Sequence, residues 1–285
     1  MDRSTPTTHD WIDQPEGRLR VTRAGDTGPP VLLLSGAGSD NAELSWSRLL
    51  PALATDHRVY ALDWPKQGGS RPWAGLADHD RLLACVETVL DHYQFDRVDL
   101  VGLSLGGAMS LATTLAFPDR VRRLVAMAPA GILPPFPPVV HQLLWLTGRS
   151  RLLNRTLPSL MFRNRRATAA FVRATLIPEP IDDFDEVVDQ VMAEVAGGVG
   201  SSDWQNESIN FTSMNVDLRP ELHRIGCPTL FIQGAKDVGI PARHTIAAAA
   251  AVPGARLELL AGAGHWVQRN EPERVNRLIA DFLAD

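Results

Sequence analysis

The chain has 285 residues and a mass of 31.1 kDa, room for one large domain or two small ones with a substantial core. Hydrophobic residues make up 45% and charged residues 21%, which excludes a disordered chain; 28 Lys plus Arg against 33 Asp plus Glu lend no support to a nucleic-acid partner. No apolar run approaches the length of a membrane span, residues 1–6 lack the pattern of a signal peptide, and Cys85 and Cys227 are too few for a disulfide framework, so the expectation is a reduced, cytoplasmic protein.

Along the chain, short apolar runs alternate with amphipathic stretches. Val31-Leu32-Leu33-Leu34 follows two prolines and precedes Gly36 and Gly38, which predicts a strand buried on both faces. Residues 59–62 form a second such run, ended by Asp63 and the breakers Pro65, Gly68 and Gly69. Leu82, Leu83, Val86, Val89 and Leu90 then recur at the helical period. Further strands are predicted at 98–101, 124–127, 229–232 and 256–260, and a last helix carries Val275, Leu278, Ile279 and Phe282. Alternation of this kind predicts an α/β fold, with a mostly parallel sheet, helices on both faces, and ligands at the carboxyl ends of the strands.

One stretch breaks the alternation. Residues 132–222 carry Pro-rich punctuation and helical patterns at 139–146 and 184–195, without a buried-strand signal. They are expected to form a helical cap inserted between two strands, with residues 1–131 and 223–285 as the core.

The chemistry is sought just after each strand. Gly102-Leu103-Ser104-Leu105-Gly106 fits G-x-S-x-G, with a strand before it and a helical pattern over 108–117 after it. In that context the turn projects the Ser104 hydroxyl above the sheet, and side chains at the two glycines would clash with neighbouring backbone. A serine needs a general base and an orienting acid to act as a nucleophile. His265 follows the last strand and Asp237 the strand before it, so the order is Ser, Asp, His, each at a strand's carboxyl end. The oxyanion donors are expected to be the backbone amides of Ala37, after the first apolar run, and Leu105, at the helix start. Asp63 reads as a loop-capping residue, Cys85 as core, and Arg163, Arg165 and Arg166 as a solvated face.

On these residues the chain resembles the α/β-hydrolase superfamily, in its cap-bearing form, over about residues 18–132 and 223–285. Asp63-Trp64-Pro65-Lys66-Gln67-Gly68-Gly69-Ser70 is similar to the family's D-x-P-G-x-G-x-S segment, with Lys66 in place of its first glycine. The resemblance implies a serine hydrolase acting through an acyl-enzyme on a carboxylic ester or lactone. Its expected partner is a small, apolar molecule, with no nucleic acid or membrane, no metal and no organic cofactor. Relatives with an Asp nucleophile are excluded by Ser104, and Leu103 stands where C–C hydrolases typically carry Asn. A C–C hydrolase or lyase, a perhydrolase and a silent ligand-binding receptor remain the alternatives. Trp145, Phe162 and Trp266 are candidate pocket residues, with Leu143, Leu144, Phe171 and Val172 as further wall candidates. The sequence leaves the oligomeric state open.

Overall fold

The computed structural model describes residues 6–198 and 202–285, so residues 1–5 of the N-terminal reading and 199–201 of the expected cap lie outside the described residues. Its centre is an eight-stranded sheet: β1 (Thr8–Gln14), β2 (Gly17–Ala24), β3 (Pro30–Leu34), β4 (Arg58–Leu62), β5 (Val98–Leu103), β6 (Val121–Met127), β7 (Thr229–Gly234) and β8 (Arg256–Leu260). The spatial order is β1-β2-β4-β3-β5-β6-β7-β8. From β4 to β8 every neighbouring pair is parallel, while β1 and β2 are antiparallel additions at one edge.

The six parallel strands β3 to β8 fall where the apolar runs of the sequence predict them. The antiparallel pair was not among the predicted strands, and its burial explains why. β1 buries Ile12 alone, and β2 buries Leu19 and Val21 between polar residues. Strands covered on one face lack the continuous apolar run that marks a strand covered on both.

The two-residue period sends alternate side chains into two cores. Leu32, Leu34, Leu100 and Phe231 pack on one side with α3 (His79–His92) and α4 (Leu105–Ala116). Val31, Leu33, Val101 and Ile232 pack on the other with α1 (Ala42–Trp46), α2 (Leu49–Leu53) and the C-terminal helix.

Between β6 and β7 the chain forms α5 (Pro138–Arg149), α6 (Leu157–Met161), α7 (Arg165–Phe171), α8 (Phe184–Ala196) and α9 (Ser202–Glu207), with π-helical turns at Leu152–Thr156 and Val172–Leu176. Beyond β7 lie α10 (Ala242–Ala251), α11 (Val267–Asn270) and α12 (Pro272–Ala284). Among the described residues, no helix is long and apolar enough to cross a membrane.

Candidate active site

Ser104 occupies the step from β5 to α4, with φ 54° and ψ −113°. A non-glycine residue in this region is strained, and the surroundings hold it there. The Ser104 amide donates to Met127 O (2.9 Å), and its carbonyl accepts from the amides of Ala108 and Ala130 (2.9 Å each). The flanking glycines are sterically required. A Cβ on Gly102 would overlap the Gly106 carbonyl, and one on Gly106 would overlap the Leu34 carbonyl.

Asp237 lies in the loop after β7, its side chain fully buried. Its Oδ1 accepts from the amides of Gly239 (2.8 Å) and Ile240 (2.9 Å), and its Oδ2 accepts from Gln233 Nε2 (3.1 Å). The Nδ1 of His265 lies 2.7 Å from the same Oδ2. A carboxylate can only accept, so this contact fixes the proton on Nδ1 and leaves Nε2 as the basic nitrogen. The histidine loop is clasped from outside: the Trp266 amide donates to Leu176 O (3.0 Å). Pro178 packs so closely on Gly264 that a side chain there would collide with it.

The loop after β3 completes the arrangement. The Ser35 carbonyl accepts from Trp64 Nε1 (2.9 Å) and from the Gly106 amide (3.0 Å), while Gly36 O accepts from Gln67 Nε2 (3.1 Å). The Gly36 amide donates to Asp40 (2.7 Å), which also accepts from Ser45 Oγ (2.6 Å) and the Asn41 amide (2.9 Å). Burial pushes the Asp40 carboxyl up to about 7, against the lowering pull of those three donors. Ala37 follows this pinned pair, and Leu105 opens α4, whose first-turn amides have no partner within the helix.

Two cavities meet at this point, of about 250 and about 270 Å³, and both are lined by Ser104, His265 and Gln205. The first adds Ala37, Phe162, Phe171, Leu176 and Trp266; the second adds Leu133, Phe136, Trp204, Met214 and Ile240. His265 is the only His, Lys, Arg, Asp or Glu among the described residues lining either cavity. A larger cavity of about 380 Å³, near Thr7 and Trp46, contains none of these residues.

The structure therefore gathers Ser104, His265, Ala37, Phe162 and Trp266 around one space, with Asp237 behind His265. It does not bring Trp145 there. That ring meets Phe211 edge-on at 5.3 Å and lies under Arg149, outside both cavities. Leu143 and Leu144 are exposed, while Phe171 joins the cavity wall and Val172 is buried in the core behind it.

Asp63 holds structure: it accepts from Arg20 Nε (2.5 Å) and from the amides of Ala42 (2.9 Å) and Gly69 (2.8 Å). Lys66 keeps the left-handed backbone that glycine adopts without strain, with φ 69°. Its ammonium pairs with Asp203 on α9, next to the Trp204 and Gln205 of the cavity walls. Two supporting residues escaped the sequence reading, Gln233 and Asp40. The available signals were a polar residue at the end of an apolar strand and an acid four residues after the first glycine of a loop.

Residues 29–272 match the family model of the alpha/beta hydrolase fold, and the chain belongs to that family. It is a hydrolase of this fold. It is 27% identical over 274 residues to the 2-hydroxy-6-oxo-2,4-heptadienoate hydrolase of Pseudomonas putida, covering 90% of each chain. It is 32% identical over 260 residues to the dihydrolipoyllysine-residue acetyltransferase component of the acetoin cleaving system of Pseudomonas putida. That match takes in 91% of this chain and 64% of the longer relative, so the chain spans less than two thirds of that protein. A crystal structure of a hydrolase from Pseudomonas aeruginosa superposes with a TM-score of 0.78 at 26% identity, over 98% of this chain and 99% of that one.

Proposed function

We propose that this hydrolase cleaves a neutral carboxylic ester or lactone through an acyl-enzyme, with Ser104 as nucleophile, His265 as general base and Asp237 as the orienting acid. Ser104 Oγ attacks the carbonyl carbon while His265 Nε2 takes its proton. Asp237 holds the imidazole in the required tautomer and stabilises the imidazolium that forms. The amides of Ala37 and Leu105 donate to the developing oxyanion; loss of one such donor elsewhere costs about 10²–10³ in kcat. The imidazolium then protonates the leaving alkoxide, and water, deprotonated by the same nitrogen, releases the acid and restores Ser104. Residues 132–222 act as a helical cap over the core of 1–131 and 223–285, bringing Phe162 and Phe171 over the serine to bury an apolar substrate. The partner is a small molecule, and no step calls for a metal or cofactor.

One observation favours a neutral ester over an anionic diketone. Among the described residues, neither cavity at Ser104 has an Arg or Lys in its wall, so a buried substrate carboxylate would have no cationic partner there. A buried, unpaired carboxylate is strongly disfavoured. Leu103 before the serine argues the same way. The C–C hydrolase reading draws its support from the 27% identity to the heptadienoate hydrolase. Turnover of a graded nitrophenyl ester series, an enol-lactone and a carboxylate-bearing vinylogous 1,5-diketone separates the two, with Ser104→Ala as the blank. Esters and lactone should be cleaved and the diketone left intact. Fast diketone cleavage with a flat, slow ester profile overturns the ester reading.

A further inference from the structure

The segment between β6 and β7 has two unlike halves. Its second half is sealed to the core, with Val172, Ile177, Val187 and Val191 fully buried. Its first half leaves apolar side chains in solvent. On α5, Val139, Leu143 and Leu146 stand at i, i+4 and i+7, which places them on one face, and they are 74%, 60% and 56% exposed. Leu153, Leu157 and Leu160 follow on the π turn and α6, all exposed. Single surface leucines are ordinary, but a contiguous run of them marks a contact surface.

The charge beside this run is one-sided. Residues 120–178 contain no Asp or Glu, in a chain whose net charge is −5. Arg165 pairs with Asp185 and Asp189 on α8, and Arg149 covers Trp145. Arg151, Arg155, Arg163 and Arg166 are exposed and make no ion pair with a described residue. A second copy docking through the same face would set arginines against arginines across a two-fold axis. A layer of anionic lipid satisfies both features, since its acyl region takes the leucines and its headgroups take the guanidiniums.

We propose that the α5–α6 face, with Arg151, Arg155, Arg163 and Arg166, docks on an anionic lipid surface. Such docking needs no membrane span. The face also adjoins the catalytic space: on α6, Pro158 lines the cavity at Ser104 while Leu157 and Leu160 point into solvent. An apolar ester dissolved in the lipid would then have a short path to the serine. The docking itself does not depend on which bond Ser104 cleaves, and its test reads binding alone.

The experiment is co-sedimentation of the whole chain with extruded vesicles, either pure phosphatidylcholine or roughly one-third phosphatidylglycerol. The chain should pellet with the phosphatidylglycerol vesicles, with an affinity at least about ten-fold above that for phosphatidylcholine and weakening as salt rises. Two double variants, Leu146→Ser with Leu153→Ser and Arg151→Gln with Arg155→Gln, should each weaken binding about ten-fold with unchanged Tm. Equal binding to both vesicle types, or variants that bind like the parent, overturns the proposal. So does a chain that ignores vesicles but forms a dimer in light scattering that the leucine variant dissociates, because the face is then a self-contact.

Discussion

The carboxyl ends of the inner strands and the α5–α6 half of the insertion are held in opposite ways. At the strand ends the candidate side chains are tightly held: Ser104 between glycines that leave no room for a Cβ, Asp237 by the Gly239 and Ile240 amides and Gln233, and His265 by Asp237. On α5, His141 is the only buried residue, and the leucines beside it face water. The chemistry we propose, which tolerates little displacement, falls where packing and hydrogen bonds are dense, and the surface we propose for lipid falls where packing is sparse. Substitutions at the strand ends should therefore change kcat, and those in the insertion should change selectivity or binding.

The largest effect is expected at the proposed nucleophile. Ser104→Ala should lower kcat by about 10⁴ or more, as loss of a triad serine does elsewhere, with an unchanged circular dichroism spectrum. A sulfonyl fluoride should label one peptide, the one containing Ser104, and an alanine variant with full activity removes the acyl-enzyme mechanism. Two buried carboxylates then provide an internal control. Asp237→Asn should cost about 10⁴-fold in kcat through the wrong imidazole tautomer while leaving the fold intact. Asp63→Asn should do the reverse. It weakens a carboxylate bonded to Arg20, Ala42 and Gly69, so thermal melting should fall while kcat stays within a few-fold. If Asp63→Asn proves the more damaging to kcat, the roles of the two acids are exchanged.

How much of this was legible in the sequence follows the same division. Strands β3 to β7 announce themselves as apolar runs because both of their faces are covered, while β8, at the far edge, shows only Leu257, Leu259 and Leu260; Ser104, Asp237 and His265 stand out as candidates because each follows a predicted strand. β1 and β2 were illegible, since an antiparallel strand covered on one side needs only a few buried residues. Asp40 and Gln233 were missed because their importance comes from partners fixed only in the folded chain: Gly36 for one, Asp237 and Thr245 for the other. Trp145 was misread for the converse reason. An aromatic residue in the insertion satisfies the sequence criterion for a pocket wall, but only packing decides whether it turns to the cavity or to Phe211.

The insertion's share of selectivity should be smaller and depend on substrate. Phe162 and Phe171 meet edge-on at 5.2 Å on the cavity wall. Phe162→Ala should lower kcat/KM for the longest acyl group accepted by about ten-fold and leave acetate within about two-fold, because a short acyl group has little surface to lose there. An equal loss for every ester would mean that the ring supports the fold instead of contacting the acyl chain.

The smallest effect concerns Asp40, which belongs to the densely packed region yet carries a charge its surroundings disfavour. Its carboxyl rises from an ordinary 3.8 to about 7, chiefly through burial, with Glu194 of α8 adding repulsion. The sign follows from proton counting. Between about pH 4 and about pH 7 the folded chain holds a proton that the unfolded chain has released, so this group's contribution to stability falls as pH rises through that window and levels off above it. Asp40→Asn removes the titration. The variant's melting temperature should therefore improve relative to the parent on going from about pH 5 to about pH 8, whatever the offset between the two at the lower pH. A difference that stays constant across that range would mean that Asp40 keeps its charge down to pH 5. The Gly36 amide would then rest on a full carboxylate throughout, and the loop carrying Ala37 would be insensitive to pH.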